Sequence, residues 1–582
     1  MEALARYSDL AHLHDTRADR SVIRARMAAL EAEIQDAGEQ AVGPGHYALG
    51  RGHLALGDEA RARELLESAW THGFREPRVA YALALVTGHQ YQEQLLEAER
   101  LRDPERREAR KREVERRYRA PALAWLRQSE GAEVPSAAYV AALLAFSENR
   151  WDEALSHLDA IGTGLSWFHE APKLRGDILL ARAMRQWNQG GHAGARADFE
   201  AGRNAYAEAA RIGESVASIH LAQGELEYGA LVLELYGKGE VTPRYTQALQ
   251  AVSRALTAMP EHSGALVLES RLHRRLAEHQ RNLGDYSETL PRKAVTAARR
   301  ALELAPSSAK ARLELGQAWW IWGYTRQSHS LEPREQLREA VESFEGIAPE
   351  ERDYDFLLNL GLVYKTWADH EEQVGADPLP RYGKSIESYL SAIQRDGQVP
   401  EGWINLGTAY YTRATHPRAP APDADLTEAL AALDKARSLN PGHVVPYFYA
   451  GLAHALVAQR LRVSGGEPGP SLERSAEMYR KGLELGPGIP QLHNGLCLTL
   501  IQRARAGWDR GGDPFPSLDQ AQKACEQSVA IAPKSGYGHI NLGEVLAQRA
   551  LYQRARGEEP GPSVRAADEA LRQAGDELAV LA

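Results

Sequence analysis

A chain of 582 residues with 43% hydrophobic and 25% charged side chains exceeds what one core organises and is too apolar for wholesale disorder, so several domains or a repeat array are expected. Its net charge of −10 gives no overall attraction to nucleic acid or anionic membrane, and its two cysteines fit a reducing compartment and exclude a disulfide framework. MEALARYSDLAHLHDTRAD lacks a signal peptide's apolar stretch and no run of about 18 apolar residues occurs, so a cytoplasmic chain without nucleic-acid or membrane partners is expected.

In chain order, residues 1–40 read as one helix pair, and residues 41–167 as helical repeats of ordinary length. In HYALGRGHLALGDEARARELLESAW (46–70), Leu49-Gly50 is followed by Ala62, Leu66 and Ala69; SAAYVAALLAFSENRWDEALSHLDAIG (136–162) carries the turn Asn149-Arg150-Trp151-Asp152-Glu153-Ala154. Between them, Arg100 to Arg119 holds ten Lys/Arg against five Asp/Glu. Acids interrupt this run and pairs such as Glu108/Arg112 fall at helical spacing, which predicts a solvated, self-paired helix rather than a nucleic-acid surface.

From 168 to 582 about nine longer units of 44–48 residues follow. Helical segments end on a proline at Pro260, Pro306, Pro441, Pro487 and Pro533, with small or apolar residues at intervals of three to five before it, as at Ala429, Leu433, Ala436 and Pro441. Beyond these ends comes Leu-Gly or its equivalent: Leu315-Gly316, Leu360-Gly361, Leu406-Gly407, Ala450-Gly451 and Leu542-Gly543. A mid-helix glycine costs about 1 kcal/mol against alanine, so its recurrence predicts close approach by a neighbouring helix. EPGPS at 467, DPFPS at 513 and EPGPS at 559 stand 46 residues apart and predict Pro-stiffened reversals. Ser471 and Ser517 then read as helix N-caps, with capping boxes at Ser517/Gln520 and Asp425/Glu428.

The Leu-Gly helices and proline-ended partners resemble the tetratricopeptide repeat (TPR), implying an all-α fold of antiparallel helix pairs stacked into a right-handed superhelix, one continuous solenoid. The family unit is 34 residues; here Gly316 to Ala340, Gly361 to Ser385, Gly451 to Ser475 and Gly543 to Ala567 are each 24 apart, a 12-residue excess over the family spacing that lengthens the first helix and its following loop. DLAHLHDTRADRSVIRARMAALEAEI, GPGHYALGRGHLALGD, RRYRAPALAWLRQSEG, PRAPAPDADL and HVVPYFY together resemble the TPR region that follows the catalytic domain in serine/threonine kinases of myxobacterial type. The kinase domain's own motifs are missing: there is no Gly-rich loop, His-Arg-Asp or Asp-Phe-Gly, and Ala348-Pro349-Glu350 is a coincidence at a repeat end. No catalytic function is expected of this chain.

In the family, the residue before Leu-Gly faces the concave groove, where an Asn carboxamide can hold a peptide main chain. The resemblance therefore implies a protein- or peptide-binding scaffold with Asn359, Asn405 and Asn541 in the groove, and Tyr449, His493 and Glu314 at similar places. It also implies a kinase domain as partner, in cis or in trans. No cofactor or metal is expected, since His12/His14 and His370-Glu371-Glu372 lack a second ligand pair. Cys497 and Cys525 read as small core residues. In the last helix Val564, Ala567, Leu571 and Ala574 are expected to pack back, while Leu578, Val580 and Leu581 lack a cover, suggesting that the chain continues beyond Ala582.

Overall fold

The computed structural model describes the backbone of residues 1–99, 104–132, 134–189, 191–237, 240–282, 287–533 and 535–581, and the side chains there except at 96, 97, 99, 104–106, 163, 188, 236, 237, 282 and 576–581. Every regular element among the described residues is a helix. The basic segment is helical from Pro104, and two of its cations pair with its own acids: Arg110 with Glu113 at 2.6 Å and, in place of the expected Arg112, Lys111 with Glu108 at 3.1 Å. Residues 100–103 of that segment lie outside the described residues.

Among the described residues, nine long pairs of neighbouring antiparallel helices begin at Glu170. They are Glu170–Asn188 with His192–Ile212, Ala217–Gly237 with Val241–Ala258, Ser263–Asn282 with Thr289–Leu304, and Ala309–Ser328 with Arg334–Glu345; then Tyr354–Gln373 with Leu379–Arg395, Pro400–Thr415 with Pro422–Leu439, Val444–Val463 with Gly469–Leu485, Pro490–Trp508 with Phe515–Ile531, and Gly536–Ala555 with Gly561–Leu581. First helices run 16 to 21 residues, so the extra residues of each unit do lengthen them. At 1.5 Å per residue a 20-residue helix is about 30 Å long. Second helices stop where proline forbids another turn: Thr289–Leu304 ends just before Pro306, Gly469–Leu485 before Pro487 and Phe515–Ile531 before Pro533.

The recurring glycine marks the seam within each pair. A Cβ on Gly316 would meet the Phe344 ring, one on Gly361 the Tyr389 ring, one on Gly451 the Tyr479 ring, and one on Gly407 or Gly543 the side chain of Leu433 or Leu571. The 24-residue interval is a hydrogen bond as well as a contact. Ser385 Oγ donates to the Gly361 carbonyl at 2.9 Å, and Ser475 Oγ to the Gly451 carbonyl at 2.8 Å, both buried. In the eighth pair the seam carries Cys497 and Cys525, fully buried as expected but bonded to each other. That corrects their reading as separate core residues. Their scarcity no longer argues for a reducing compartment.

The second helices start earlier than expected. Gly469–Leu485 and Phe515–Ile531 begin two residues before Ser471 and Ser517, placing both serines inside the first turn, where neither caps. An acid does it instead: Glu467 accepts from Gly469 N at 2.9 Å, Asp513 from Phe515 N at 3.3 Å and Glu559 from Gly561 N at 2.8 Å. The second proline of each Pro-x-Pro sits in the first turn, where a missing N–H costs nothing. The capping boxes are corrected likewise. Ser517 Oγ accepts from Arg503 Nε at 3.2 Å, and Asp425, inside the helix Pro422–Leu439, holds Arg413 through both carboxylate oxygens. The capping acids also take arginines from the end of the next first helix: Arg510 on Glu467 and Arg556 on Asp513. The long loops of 352–582 therefore align along one edge.

The chain forms two compact units, Met1–Glu351 and Arg352–Ala582. In the first, the N-terminal segment leaves its own helix pair and reaches far ahead along the chain. Thr16 N and Oγ both donate to the Ala258 carbonyl, at 3.0 and 2.8 Å. Ser215 Oγ accepts from His14 N at 3.2 Å and donates to the His12 carbonyl at 3.1 Å, while Arg6 pairs with Glu170 at 2.6 Å. In the second unit, Ala567 and Ala574 of the last helix are buried as expected, but Val564 and Leu571 are 52% and 48% exposed. In earlier pairs their counterparts, such as Leu472 and Tyr479, are covered by the following repeat. Leu578, Val580 and Leu581 lie outside the described side chains.

Candidate functional site

Within 352–582 each first helix touches the next first helix: Tyr354–Gln373 meets Pro400–Thr415, which meets Val444–Val463, then Pro490–Trp508, then Gly536–Ala555. The second helices instead lie between first helices, against their own partner and the following one. The first helices thus form the inner row, and its open face is the candidate site.

Asn359, Asn405, Tyr449 and Asn541 occupy one register of that row, two residues before the seam glycine, and all are half-buried. They differ in what they do. Asn359 Nδ2 donates to the Asp355 carbonyl of its own helix at 2.6 Å. Tyr449 meets Tyr411 edge-on at 5.9 Å and packs beside Phe448, and burial raises the Tyr411 phenol to about 12. Asn405 and Asn541 make no side-chain hydrogen bond among the described residues. In the helix Pro490–Trp508 this register falls on Gly495, and His493 stands two residues earlier, where its Nε2 pairs with the Pro487 carbonyl at 3.0 Å.

His493 belongs to a second series of side chains, unlike in chemistry but alike in position. Trp403 Nε1 bonds the Gly397 carbonyl at 2.8 Å, Tyr447 Oη the Pro441 carbonyl at 3.1 Å, and His539 Nε2 the Pro533 carbonyl at 3.1 Å. Each polar tip reaches back six residues to the turn joining two repeats. The constant interval from that turn was the available signal.

Two cations in the body of the row are already matched. Lys365 pairs with Asp369 at 2.7 Å and Arg505 with Glu544 at 2.7 Å. In the unit 1–351, the same register is committed internally: Glu314 is buried, accepting from Arg274 Nε and Ser270 Oγ at 3.0 Å each. No group of three or more His, Cys, Asp or Glu among the described residues is placed to hold a metal, and His12 and His14 face Glu214 and Asp19 in the N-terminal contact.

Paired helices with a large side chain set on a mid-helix glycine, stacked through their first helices, define the architecture. It is TPR-like. No family model matches the sequence, and no curated protein matches it. Among solved structures it is similar to TTC0263, a thermophilic TPR protein of Thermus thermophilus, at 17% identity over 40% of this chain and 99% of that one, with a TM-score of 0.27. YrrB, described as a TPR protein with an unusual peptide-binding site, is 17% identical over 42% of this chain and 95% of its own, at a TM-score of 0.26. Human IFIT1, solved as a dimer with PPP-AAAA, is 14% identical over 76% of this chain and 91% of its own, at 0.31. The fold is carried by this chain's own helix pairing.

Proposed function

We propose that the chain is a non-catalytic scaffold that holds a protein or peptide segment along the inner row of first helices in 352–582. The observation that carries this is the pair Asn405 and Asn541: half-exposed, at the same register of two first helices, each with a carboxamide donor and acceptor uncommitted among the described residues. A pre-ordered helical face lowers the ordering cost of binding an extended segment. Because Lys365 and Arg505 are paired, the partner is held by main-chain hydrogen bonds and apolar contact with Leu358, Leu362 and Leu498 rather than by a terminal carboxylate. Cross-linking and mass spectrometry would identify the partner. Asn405→Ala with Asn541→Ala is then expected to weaken it by about 1–3 kcal/mol while leaving Tm unchanged, and calorimetry giving unaltered affinity would remove the reading.

The resemblance to kinase-linked TPR regions supports a narrower version, in which this chain recruits substrates or signals for a serine/threonine kinase domain, in cis or in trans. Co-purification of kinase activity that survives stringent washing, and is lost with the double Asn variant, tests it. The division into 1–40, 41–167 and 168–582 is part of the same proposal and rests on repeat length alone.

A further inference from the structure

Five long pairs close their seam in one way: Gly316 under Phe344, Gly361 under Tyr389, Gly407 under Leu433, Gly451 under Tyr479 and Gly543 under Leu571. The pair Pro490–Trp508/Phe515–Ile531 alone among these six has cysteine on both sides, Cys497 in the glycine's place and Cys525 in the large residue's, 28 residues apart. Both are fully buried, among Leu500, Ile501, Ala521, Ala524 and Val545. These are the chain's only two cysteines.

We propose that this pair is a redox latch that fixes one repeat of the second unit when oxidised and lets it open when reduced. In the other seams a ring or a leucine fills the space and supplies the contact. Two cysteines carry about as much side chain as a glycine and a leucine but divide it between the two helices, so no single side chain spans this seam when it is reduced, and the bond ties the two halves together. The register favours closure once an oxidant gains access, because the repeat holds these two positions together in the five other seams. Oxidation is thiol–disulfide exchange with a disulfide of the glutathione class. One cysteine thiolate attacks the oxidant's disulfide and expels one thiolate; the second cysteine thiolate then attacks the mixed disulfide and expels the other. The two protons released pass to the two departing thiolates, giving the protein disulfide and two small thiols. Because neither sulfur is exposed, exchange in either direction requires the helix pair to part. The oxidised state is thus shielded from reductant while it stays closed. The latch acts on the helix that carries Asn494, Gly495 and Leu498 of the inner row, but the inference does not depend on what that row binds.

The full chain, prepared reduced and then treated with glutathione disulfide, is compared with its reduced form by hydrogen-exchange mass spectrometry and thermal melting. Reduction is expected to raise amide exchange in 490–531 by about tenfold or more while 400–439 stays within about twofold, and to lower Tm by several degrees. Cys497→Gly with Cys525→Leu, which copies the Gly407/Leu433 seam, is expected to show the oxidised form's protection in either buffer. Three results would each overturn the proposal: two titratable thiols persisting in the denatured protein after oxidant treatment, equal exchange in 490–531 for both redox forms, or a uniform loss of protection across 352–582. A Gly/Leu variant that remains as unprotected as the reduced protein would also sink it, because the seam would not then be what the bond replaces.

Discussion

Tyr228 lies buried on the helix Ala217–Gly237 with the Arg271 guanidinium 4.4 Å from its ring centroid and Arg275 Nε 3.5 Å from its hydroxyl. Burial opposes its ionisation, but Arg271, Arg275 and Arg274 outweigh that and bring the phenol down to about 8. Since the folded protein binds this proton less tightly than the unfolded chain, the associated stabilisation is fully present above the ordinary tyrosine value of 10.0 and is lost as pH falls through about 8. We expect one of the 23 tyrosines to ionise near pH 8 in an absorbance titration at the phenolate band, and Tyr228→Phe to abolish that step and flatten the rise in stability between pH 8 and 10. No sequence pattern announced this group, because its arginines come from the next repeat. The inner-row asparagines were legible by their place before Leu-Gly. Yet which of them is uncommitted depends on Asn359 turning to its own backbone, and that is a rotamer choice the sequence does not encode.

At the scale of the helix pair, the glycine seam gives two substitutions of the same kind opposite outcomes. Gly361→Ala puts a methyl group inside 3.0 Å of the buried Tyr389 ring, so overpacking of about 1–3 kcal/mol exceeds the propensity gain of about 1 kcal/mol. Gly383→Ala, in the helix Leu379–Arg395 with nothing within 4 Å, collects only the gain. We expect urea denaturation to rank them Gly383→Ala above the parent and Gly361→Ala below it. The seam itself was readable from sequence because Leu-Gly, the small residue at 24 and the closing proline repeat together. The caps were misread because Ser517 and Gln520 satisfy a capping-box spacing; the helix nonetheless starts earlier, since an acid two positions before Phe515 already meets its N–H and proline fits the first turn. Cys497 and Cys525 could have been placed by counting, as they share the interval of Gly361 and Tyr389.

For the molecule as a whole, the least legible feature was the reach of residues 6–16 to Glu170, Ser215 and Ala258, since nothing local in DLAHLHDTRAD points to partners so far along the chain. Thr16→Val with Ser215→Ala deletes hydroxyl bonds at two of these points and is expected to cost about 1–3 kcal/mol. Faster exchange should then appear at 213–220 and 258–265, far in sequence from position 16, with 400–439 unaffected. Exchange confined to residues 1–20 would show that the contact does not brace the later turns.

That contact also bears on how the two units can change over generations. In a plain stack, each repeat meets only its neighbours, so a repeat can be gained or lost with little harm elsewhere. Between Thr16 and Ala258 the chain instead returns to meet its own start, and a whole repeat inserted or deleted there would carry Ala258 away from Thr16 and Ser215 away from His14. The stretch from Thr16 to Ala258 therefore has a fixed repeat number, like a ring that closes only with the right count of links. No such tie is seen among the described residues of 352–582, where length is free to drift, and where the near-identical EPGPS and DPFPS segments read as the trace of repeats copied one from another.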